Sequence, residues 1–256
     1  MRLFDSHSHL DVPEFDGDRA CPLQHGRAVA VVEQLVPAVD HDTWPTLRAA
    51  CGEDPGLYPA YGLHPIFLDH HRPEHLPALR EWIEREHPLA IGECGLDFFV
   101  EGLDLEWQRT IFRGQLALAR EFDLPMVVHA RRAVEEVYVT AKRVGGLRGI
   151  VHSFGGSAEQ ARQLAELGFL LGIGGPVTYE RARRLRRLVA DCPLEWLVLE
   201  TDSPDQPDAC HRGQRNEPAR LTEVLRVVAE LRDEDPARIA AATRGNARRL
   251  LGLPED

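Results

Sequence analysis

The sequence predicts an α/β fold and, within that class, a (β/α)8 TIM barrel. Its 256 residues match the size of such a barrel, which typically needs about 250. Eight short apolar runs alternate with longer stretches of helical spacing, an order that favours a parallel sheet. The runs are almost continuously apolar, as expected for parallel strands buried on both faces. A doubly wound open sheet is the weaker alternative.

Each element follows from a local pattern. The eight predicted strands are RLFDSH (2–7), EQLVPAVD (33–40), LYPAYGLH (57–64), LAIGECG (89–95), PMVVHA (125–130), GIVHSF (149–154), GFLLGIGG (168–175) and WLVLETD (196–202). Helical spacing is clearest in residues 74–87, 104–123, 157–168, 179–192 and 217–249. Loops over one face are predicted at residues 11–22, 69–77 and 203–218. No linker-like segment interrupts this order, so one domain is expected over residues 1–256.

The composition narrows the classes of function. A formal net charge of -11 argues against a broadly basic nucleic-acid surface, because phosphate backbones are bound mainly through Lys and Arg. A nucleic-acid enzyme remains possible, since bound metal ions add positive charge. The absence of an apolar run of about 18 residues and of a basic-then-apolar leader predicts a cytoplasmic protein without membrane association. Five cysteines without a C-x-x-C pair argue against a disulfide framework and a cysteine zinc site.

The ends of the predicted strands carry the chemistry. Five of the 12 histidines stand at these ends, together with two carboxylates. In a barrel the carboxyl ends of the strands converge on one rim, where the active sites lie. A lone histidine there is more often a hydrogen-bonded structural residue, and a lone Asp before Ser-Pro is usually a turn former. The joint pattern instead predicts a metal centre built from His7, His9, His64, Glu93, His129, His152 and Asp202.

The number of candidate ligands indicates two ions. Four imidazoles and two carboxylates exceed the needs of one tetrahedral ion and suit a pair that shares a bridging carboxylate. Glu93 is the better bridge, because the fourth strand lies between the first and eighth strands on one side and the fifth and sixth on the other. The predicted first ion is held by His7, His9, Glu93 and Asp202, and the second by Glu93, His129 and His152.

Seven segments resemble the successive motifs of a known family. They are DSHSHLD, YGLHP, AIGECGLDF, the segment from WQRTIFRGQLALA to LPMVVHAR, GIVHSFGGS, LETDSP and RNEP. In this order they resemble the TatD family of metal-dependent deoxyribonucleases, from Phe4 to the closing TRGNARRLLGL. The resemblance implies a metallo-dependent hydrolase barrel with two divalent ions on His7, His9, Glu93, His129, His152 and Asp202. It also implies cleavage of DNA phosphodiester bonds through a metal-bound hydroxide, often exonucleolytically, with single-stranded DNA or 3′ ends as the substrate.

Five residues receive further roles. Glu93 is expected in the catalytic centre as the bridge, and Asp202 is expected to orient the attacking water or accept its proton. The family gives His64 a place in the active site without a regular metal bond, so it would protonate the leaving oxygen or hold a phosphate, unless it is a structural cap. Arg131 is placed to pair with a phosphate, the alternative being an exposed first-turn arginine. Asn216 is a candidate substrate contact, the alternative being a helix cap.

Two features depart from the pattern of the TatD family or of the wider group of binuclear hydrolases. The family commonly carries an aromatic and an apolar residue after the TDSP motif, where this chain has Asp205 and Gln206, which puts substrate preference in doubt. Many related binuclear enzymes bridge their metals with a carboxylated lysine. The only lysine here, Lys142, lies in a helical stretch, so a carboxylate bridge remains. Asp5 is interpreted as an acceptor behind the ligands.

Three classes of function stay open. The first is a phosphodiesterase acting on DNA, and the second is a binuclear barrel hydrolase of small phosphate esters, lactones or amides. The third, a non-catalytic metal-binding or scaffolding protein, is disfavoured by the complete ligand set. The metal itself stays open among Mg²⁺, Mn²⁺ and Zn²⁺, since histidine ligands tolerate several ions. The chain is expected to be a monomer without an obligate protein partner.

Overall fold

The computed structural model describes residues 1–254, in which eight strands alternate with nine α-helices. The strands are β1 (Leu3–Asp5), β2 (Val31–Pro37), β3 (Leu57–Tyr61), β4 (Ala90–Asp97), β5 (Met126–Arg131), β6 (Gly149–Val151), β7 (Phe169–Ile173) and β8 (Leu197–Leu199). The helices are α1 (Ala20–Ala28), α2 (Trp44–Gly52), α3 (His75–Glu86), α4 (Leu105–Glu121), α5 (Val134–Val144), α6 (Ala158–Glu166), α7 (Arg183–Asp191), α8 (Leu221–Arg232) and α9 (Pro236–Leu250). No helix of this part of the chain is long and apolar enough to cross a bilayer.

The strands close into a barrel in the order in which they occur in the chain. All seven consecutive pairs from β1 to β8 are parallel. The first and last strands then meet, because the Ser6 amide donates to the carbonyl of Leu199 at 2.9 Å, and Ser8 bridges to Ser203. This closure confirms the predicted barrel and excludes the doubly wound alternative.

Two apolar layers cover the inner and outer faces of the strands. One lies inside the barrel and contains Phe4, Leu35, Ala60, Ala90, Val127, Ile150 and Val198, with Ala247 of the last helix and Leu251, directly after that helix, below it. The larger layer packs the outer strand faces against the helices and contains Trp44, Phe112 and Phe169 among its bulkiest members. Since residues i and i+2 share a strand face, His129 follows Val127 and His152 follows Ile150 on the inner face. On β5 and at the end of β6, the inner face therefore changes from an apolar to an ionisable side chain between one inward-facing residue and the next.

The helices begin where the sequence supplies capping side chains. Asp104 accepts hydrogen bonds from the amides of Glu106 and Trp107 at the start of α4. Ser157 and Gln160 form a reciprocal capping box at the start of α6. These bonds satisfy amides that have no partner inside the helix, which fixes where each helix leaves the mouth of the barrel.

All eight predicted strands are present, but several end earlier than predicted. The runs predicted to extend to His7, His64 and Asp202 leave the ladder at Asp5, Tyr61 and Leu199. The reason is geometric, since these last residues turn into the mouth instead of continuing the sheet pairing. The predicted loops are shortened in the same way, because α1 begins at Ala20 and α3 at His75.

Candidate metal centre

The ionisable side chains that end the strands converge inside the mouth of the barrel. Glu93 and His129 lie within their strands, whereas the others follow β1, β3, β6 and β8 by one to four residues. The amide of Asp202 donates to the carbonyl of His7 at 2.8 Å, and the amide of His9 donates to Ser203 at 2.7 Å. These bonds hold the segment after β8 beside the segment after β1.

Glu93 is the centre of the cluster. It is 1% exposed, and its Oε1 lies 2.9 Å from Nε2 of His64, 3.0 Å from Nδ1 of His129 and 2.9 Å from Nε2 of His152. Its other oxygen, Oε2, faces the opposite way, 3.1 Å from Nε2 of His7 and 3.4 Å from Nε2 of His9. One carboxylate thus presents a separate oxygen to each of two groups of imidazoles.

The group on the Oε2 side is completed by Asp202. The Nε2 atoms of His7 and His9 are 3.0 Å apart, and Oδ1 of Asp202 lies 3.4 Å and 3.7 Å from them. Three overlapping triads can therefore converge on a cation: His7, His9 and Asp202; His7, Glu93 and His152; and His64, Glu93 and His129. The third triad includes His64, which was expected to lie in the site without a regular metal bond.

The donor set fits divalent metal ions. Imidazole nitrogens and carboxylate oxygens are ligands for Zn²⁺ and Mn²⁺, and no thiol takes part. Oε2 of Glu93 is fully buried and accepts no hydrogen bond from the described residues, although Nε2 of His7 is close. A buried carboxylate oxygen left in this state is costly unless a cation binds it. The cluster thus has the ligand types of a metal site and a buried carboxylate oxygen that a bound cation would stabilise.

The surrounding histidines determine the ionisation state of Glu93. Burial would raise the pKa of Glu93, but His64, His152 and His7 and the hydrogen bond from His129 hold it well below its usual range. Burial lowers the pKa of His64 to about 4 against the opposing pull of Glu93. At neutral pH Glu93 is therefore ionised and His64 is neutral. The amide of Ile66 donates to Nδ1 of His64 at 3.2 Å, so Nε2 carries the proton, and in this state His64 is a hydrogen-bond donor and not a ligand in the third triad.

Two acids behind the cluster were missed from the sequence. Oδ2 of Asp97 lies 2.8 Å from Nε2 of His129 and turns Nδ1 of that ring toward Glu93. Glu200 is fully buried, accepts a hydrogen bond from the amide of Ser153, and lies 3.8 Å from Nδ1 of His152. Burial raises the pKa of Glu200 to about 8. The sequence shows only that each carboxylate lies at or directly after the end of a buried strand, Asp97 at the end of β4 and Glu200 after β8, where an acid needs a partner.

The comparison with known proteins identifies the family. A family model described as TatD related DNase matches residues 4–252. The chain belongs to this family. It is 38% identical to YjjV of Escherichia coli K-12, described as an uncharacterized metal-dependent hydrolase, over 99% of both chains. It is 32% identical to a Rahnella protein described as a 3'-5' ssDNA/RNA exonuclease TatD, over 98% of both chains.

A solved structure gives the same result. The crystal structure of YjjV superimposes with a TM-score of 0.93 and 36% identity, covering 99% of both chains. The predicted membership of the TatD family is confirmed, as is the prediction of a metal-dependent hydrolase. The assignment of individual residues as ligands and of two ions stays a proposal.

The loop that departs from the TatD pattern contacts the metal centre. Gln206 donates from Nε2 to Oδ2 of Asp202, and the Ser153 hydroxyl donates to Oε1 of Gln206 at 2.8 Å. Asp202 has a left-handed backbone with φ of 58°, a conformation that non-glycine residues adopt at a cost and that is frequent at functional sites. Asp205, in contrast, is exposed at the rim. The glutamine thus supports a predicted ligand, whereas the aspartate faces the space above it.

The remaining predicted residues differ in their surroundings. Arg131 is exposed and lines the mouth cavity, which has a volume of about 1500 Å³. Asn216 is 2% exposed, and its amide donates to the carbonyls of Thr201 at 2.8 Å and Asp205 at 2.9 Å. Its observed contacts brace the loop that carries Asp202, so a substrate contact of Asn216 stays a prediction.

Asp5 lies behind the first strand end. It accepts hydrogen bonds from the amide of Thr201 at 2.9 Å, from its hydroxyl at 2.6 Å, and from the amide of His7 at 3.3 Å. Asp5 thus holds backbone and hydroxyl groups, and no hydrogen bond links it to an imidazole ring of the described chain. Its role is to lock β1 to the end of β8.

Proposed function

We propose that the protein is a phosphodiesterase that cleaves single-stranded DNA from its 3′ ends with two divalent ions. The observation that supports this most is that the two buried oxygens of Glu93 face different imidazoles, Oε1 those of His64, His129 and His152 and Oε2 that of His7. A bridging carboxylate of this kind is what a pair of ions requires. The activity is suggested by the Rahnella relative, which is described as a 3'-5' ssDNA/RNA exonuclease.

The ligands divide between the two sides of Glu93. His7, His9 and Asp202 would hold one ion with Oε2, and His129 and His152 would hold the other with Oε1. Bound divalent ions supply Lewis-acid polarisation of a phosphoryl oxygen and lower the pKa of water. Mg²⁺, Mn²⁺ and Zn²⁺ are all candidates for this set of ligands.

The chain's own groups position the reactants. Asp202 is a carboxylate beside the paired histidines, where it would orient the attacking water and accept its proton. His64 has its Nδ1 occupied by the Ile66 amide and presents Nε2–H to the centre of the cluster. That hydrogen would be donated to an oxygen of the substrate phosphate.

The charges lining the mouth suggest where the nucleic acid lies. Three arginines line one side of the cavity, at the end of β5, directly after it and in α7: Arg131, Arg132 and Arg184; α5 adds one carboxylate to this side, Glu135. Carboxylates line the side formed by segments that follow β1 and β2: Asp11, Glu14, Asp16, Asp40 and Asp42. Phosphates would bind over the arginine side, because like charges repel them from the other.

The test is hydrolysis by purified, metal-depleted protein reloaded with Mg²⁺, Mn²⁺ or Zn²⁺. The substrates are single-stranded DNA labelled at either end, a small phosphodiester and a lactone. We expect nucleotide release from the 3′ end and no release by the Glu93→Ala variant. Turnover of the small substrates alone would refute the nuclease proposal. Metal analysis of the reloaded protein is expected to give two ions per chain.

A second candidate function rests on the acidic half of the mouth. Five lining carboxylates and a net charge of -11 are unfavourable for a long polyanion but tolerable for a small neutral ester, lactone or amide. The same ions would serve that chemistry. The assay above separates the two, since only one substrate class is expected to turn over efficiently.

We also propose that the protein acts as a monomer in the cytoplasm, without an obligate protein partner. Light scattering of the purified protein should give a mass near 28.7 kDa. A mass of twice that value would refute the monomer.

A further inference from the structure

An exposed aromatic residue follows the strand that carries Glu93. Phe99 lies in the loop after β4 and is 44% exposed, and the next residue, Val100, is 37% exposed. Large apolar side chains that remain in water at the rim of an active site are candidates for contact with a ligand. Phe99 does not itself line the mouth cavity, but it packs on Arg131 and Arg132, which do.

Two cations lie against this ring. The guanidinium carbon of Arg131 is 3.6 Å from the ring centroid of Phe99, and that of Arg132 is 4.7 Å away. Both distances are within the range of a cation–π contact. Within residues 1–254 neither arginine forms an ion pair, whereas Arg109, on the neighbouring helix, is neutralised by Glu106 and Glu136. No carboxylate of the described residues therefore neutralises these two guanidinium groups, and they can attract an anionic ligand.

The aromatic loop is tied to the metal centre by one side chain. Oδ1 of Asp97 accepts hydrogen bonds from the amides of Phe99 at 2.8 Å and Val100 at 3.0 Å. Oδ2 of the same carboxylate lies 2.8 Å from Nε2 of His129. The position of Phe99 is therefore fixed relative to a predicted metal ligand through a single buried carboxylate. A binding surface needs this kind of support, because a mobile aromatic ring must be ordered when it stacks on a ligand, and that ordering costs free energy.

We propose that Phe99, Arg131 and Arg132 form a nucleotide subsite, in which the aromatic–guanidinium surface stacks on a nucleobase and the guanidinium groups bind its phosphate. The inference rests on the proposed nuclease function and names the substrate group that the mouth recognises. Aromatic and guanidinium planes stack on any base, and guanidinium groups bind phosphate oxygens through paired hydrogen bonds. The subsite would hold a nucleotide flanking the cleaved bond without strong sequence preference.

The test compares base-bearing and base-free substrates on the metal-loaded enzyme. One oligodeoxyribonucleotide carries ordinary bases, and the other carries abasic residues in its last three positions. We expect Phe99→Ala to raise KM for the base-bearing oligomer about 10-fold and to leave KM for the abasic oligomer unchanged. Phe99→Leu should behave like Phe99→Ala, because it keeps the apolar volume and removes the ring. Phe99→Tyr should keep the wild-type KM.

Further variants separate stacking from charge. Arg132→Gln should weaken binding of both oligomers and reduce the slope of log Kd against log salt by about one. Phe99→Trp supplies a spectroscopic readout, since its fluorescence should be quenched by the base-bearing oligomer only. Val139→Ala is the matched control, because Val139 is similarly exposed, at 39%, but lies on α5 and not in the loop after β4 that Asp97 ties to His129.

The two proposals fail in different ways. If the wild type degrades DNA and Phe99→Ala and Phe99→Leu leave the KM of both oligomers unchanged, the subsite is wrong and the nuclease function stands. If both variants raise KM equally for base-bearing and abasic DNA, the ring does not contact a base and the subsite is also wrong. If the wild type cleaves no oligonucleotide, the nuclease proposal falls and the subsite falls with it.

Discussion

The two ends of the barrel interior differ in whether a buried carboxylate has hydrogen-bond partners for both of its oxygens. At the amino-terminal end Glu33 is 4% exposed, and each of its oxygens accepts a hydrogen bond from an arginine of α9, Arg244 or Arg248. At the carboxyl-terminal end Glu93 is equally buried, yet one of its oxygens lacks a hydrogen bond from the described residues. Between them lies the apolar layer that includes Phe4 and Leu35.

The difference separates stability from function. Buried ions are tolerated when paired, and Glu33 has its partners within the fold. Glu93 and the imidazoles around it form a site whose compensation would come from bound ions. We therefore expect changes at the mouth to alter metal binding and activity, and changes in the apolar layer to alter the free energy of unfolding. Four predictions test this separation.

The largest effect is expected from removing the central charge. Glu93→Gln keeps the shape of the side chain but removes its anionic charge. Activity should fall on the order of 10³-fold or more, because metal ions supply several kcal/mol of transition-state stabilisation. The midpoint of thermal unfolding of the wild type should rise with added Mn²⁺ and fall with EDTA, since a ligand that binds the folded state stabilises it.

In the Glu93→Gln variant the rise of the unfolding midpoint with Mn²⁺ should fall to that expected for one ion or disappear. Metal content, measured on the same samples, should fall below that of the wild type. Wild-type metal content together with wild-type activity in Glu93→Gln would contradict the bridging role.

The second prediction concerns the apolar layer. Leu35→Ala removes a fully buried side chain of β2 and should lower the free energy of unfolding by about 2–5 kcal/mol, through lost transfer energy and a residual cavity. Metal content should stay at the wild-type value while the protein is folded. Denaturant unfolding measures the first quantity and metal analysis the second. Loss of metal from folded Leu35→Ala protein would mean that the two ends are coupled.

The third prediction addresses the acid behind His129. Asp97→Asn keeps the hydrogen bonds to the loop amides but weakens the partner of the imidazole ring. Groups of this kind typically change metal affinity by 10–100-fold, so titration calorimetry should show a loss in that range. Asp69→Asn, an exposed aspartate after the third strand, serves as the control and should leave the affinity unchanged. Unchanged affinity in Asp97→Asn would remove Asp97 from the metal centre.

The sequence was sufficient for the barrel and for the set of candidate ligands, because both depend on strand order. Histidines at the ends of parallel strands must meet at one rim, but strand order does not say which of them touch: His7 and His152, predicted on different ions, stack with ring centroids 4.0 Å apart. The supporting contacts were beyond reach, since they depend on which way a side chain turns. His64 lies against Glu93 because its strand ends three residues earlier than predicted, and Asp97 reaches His129 because β4 continues past the predicted end at Gly95.

The smallest expected effect tests the residue that departs from the TatD pattern. Gln206 contacts Oδ2 of Asp202, and Ser153 contacts Gln206, so Ser153 can influence Asp202 only through the glutamine. A hydrogen bond to a charged group contributes about 1.5–3 kcal/mol, and water can replace part of it at this half-buried position. Gln206→Ala should therefore lower kcat about 3-fold to 10-fold with little change in KM.

Ser153→Ala should cost less than Gln206→Ala, and the double variant should lose no more than Gln206→Ala alone, because the two residues form one chain of contacts. Gln214→Ala, at an exposed glutamine of the same connection, should match the wild type. Additive losses in the double variant would show that Ser153 acts on the mouth by a second route. In that case Glu200, which accepts a hydrogen bond from the Ser153 amide, would be the residue to examine, since it lies 3.8 Å from His152.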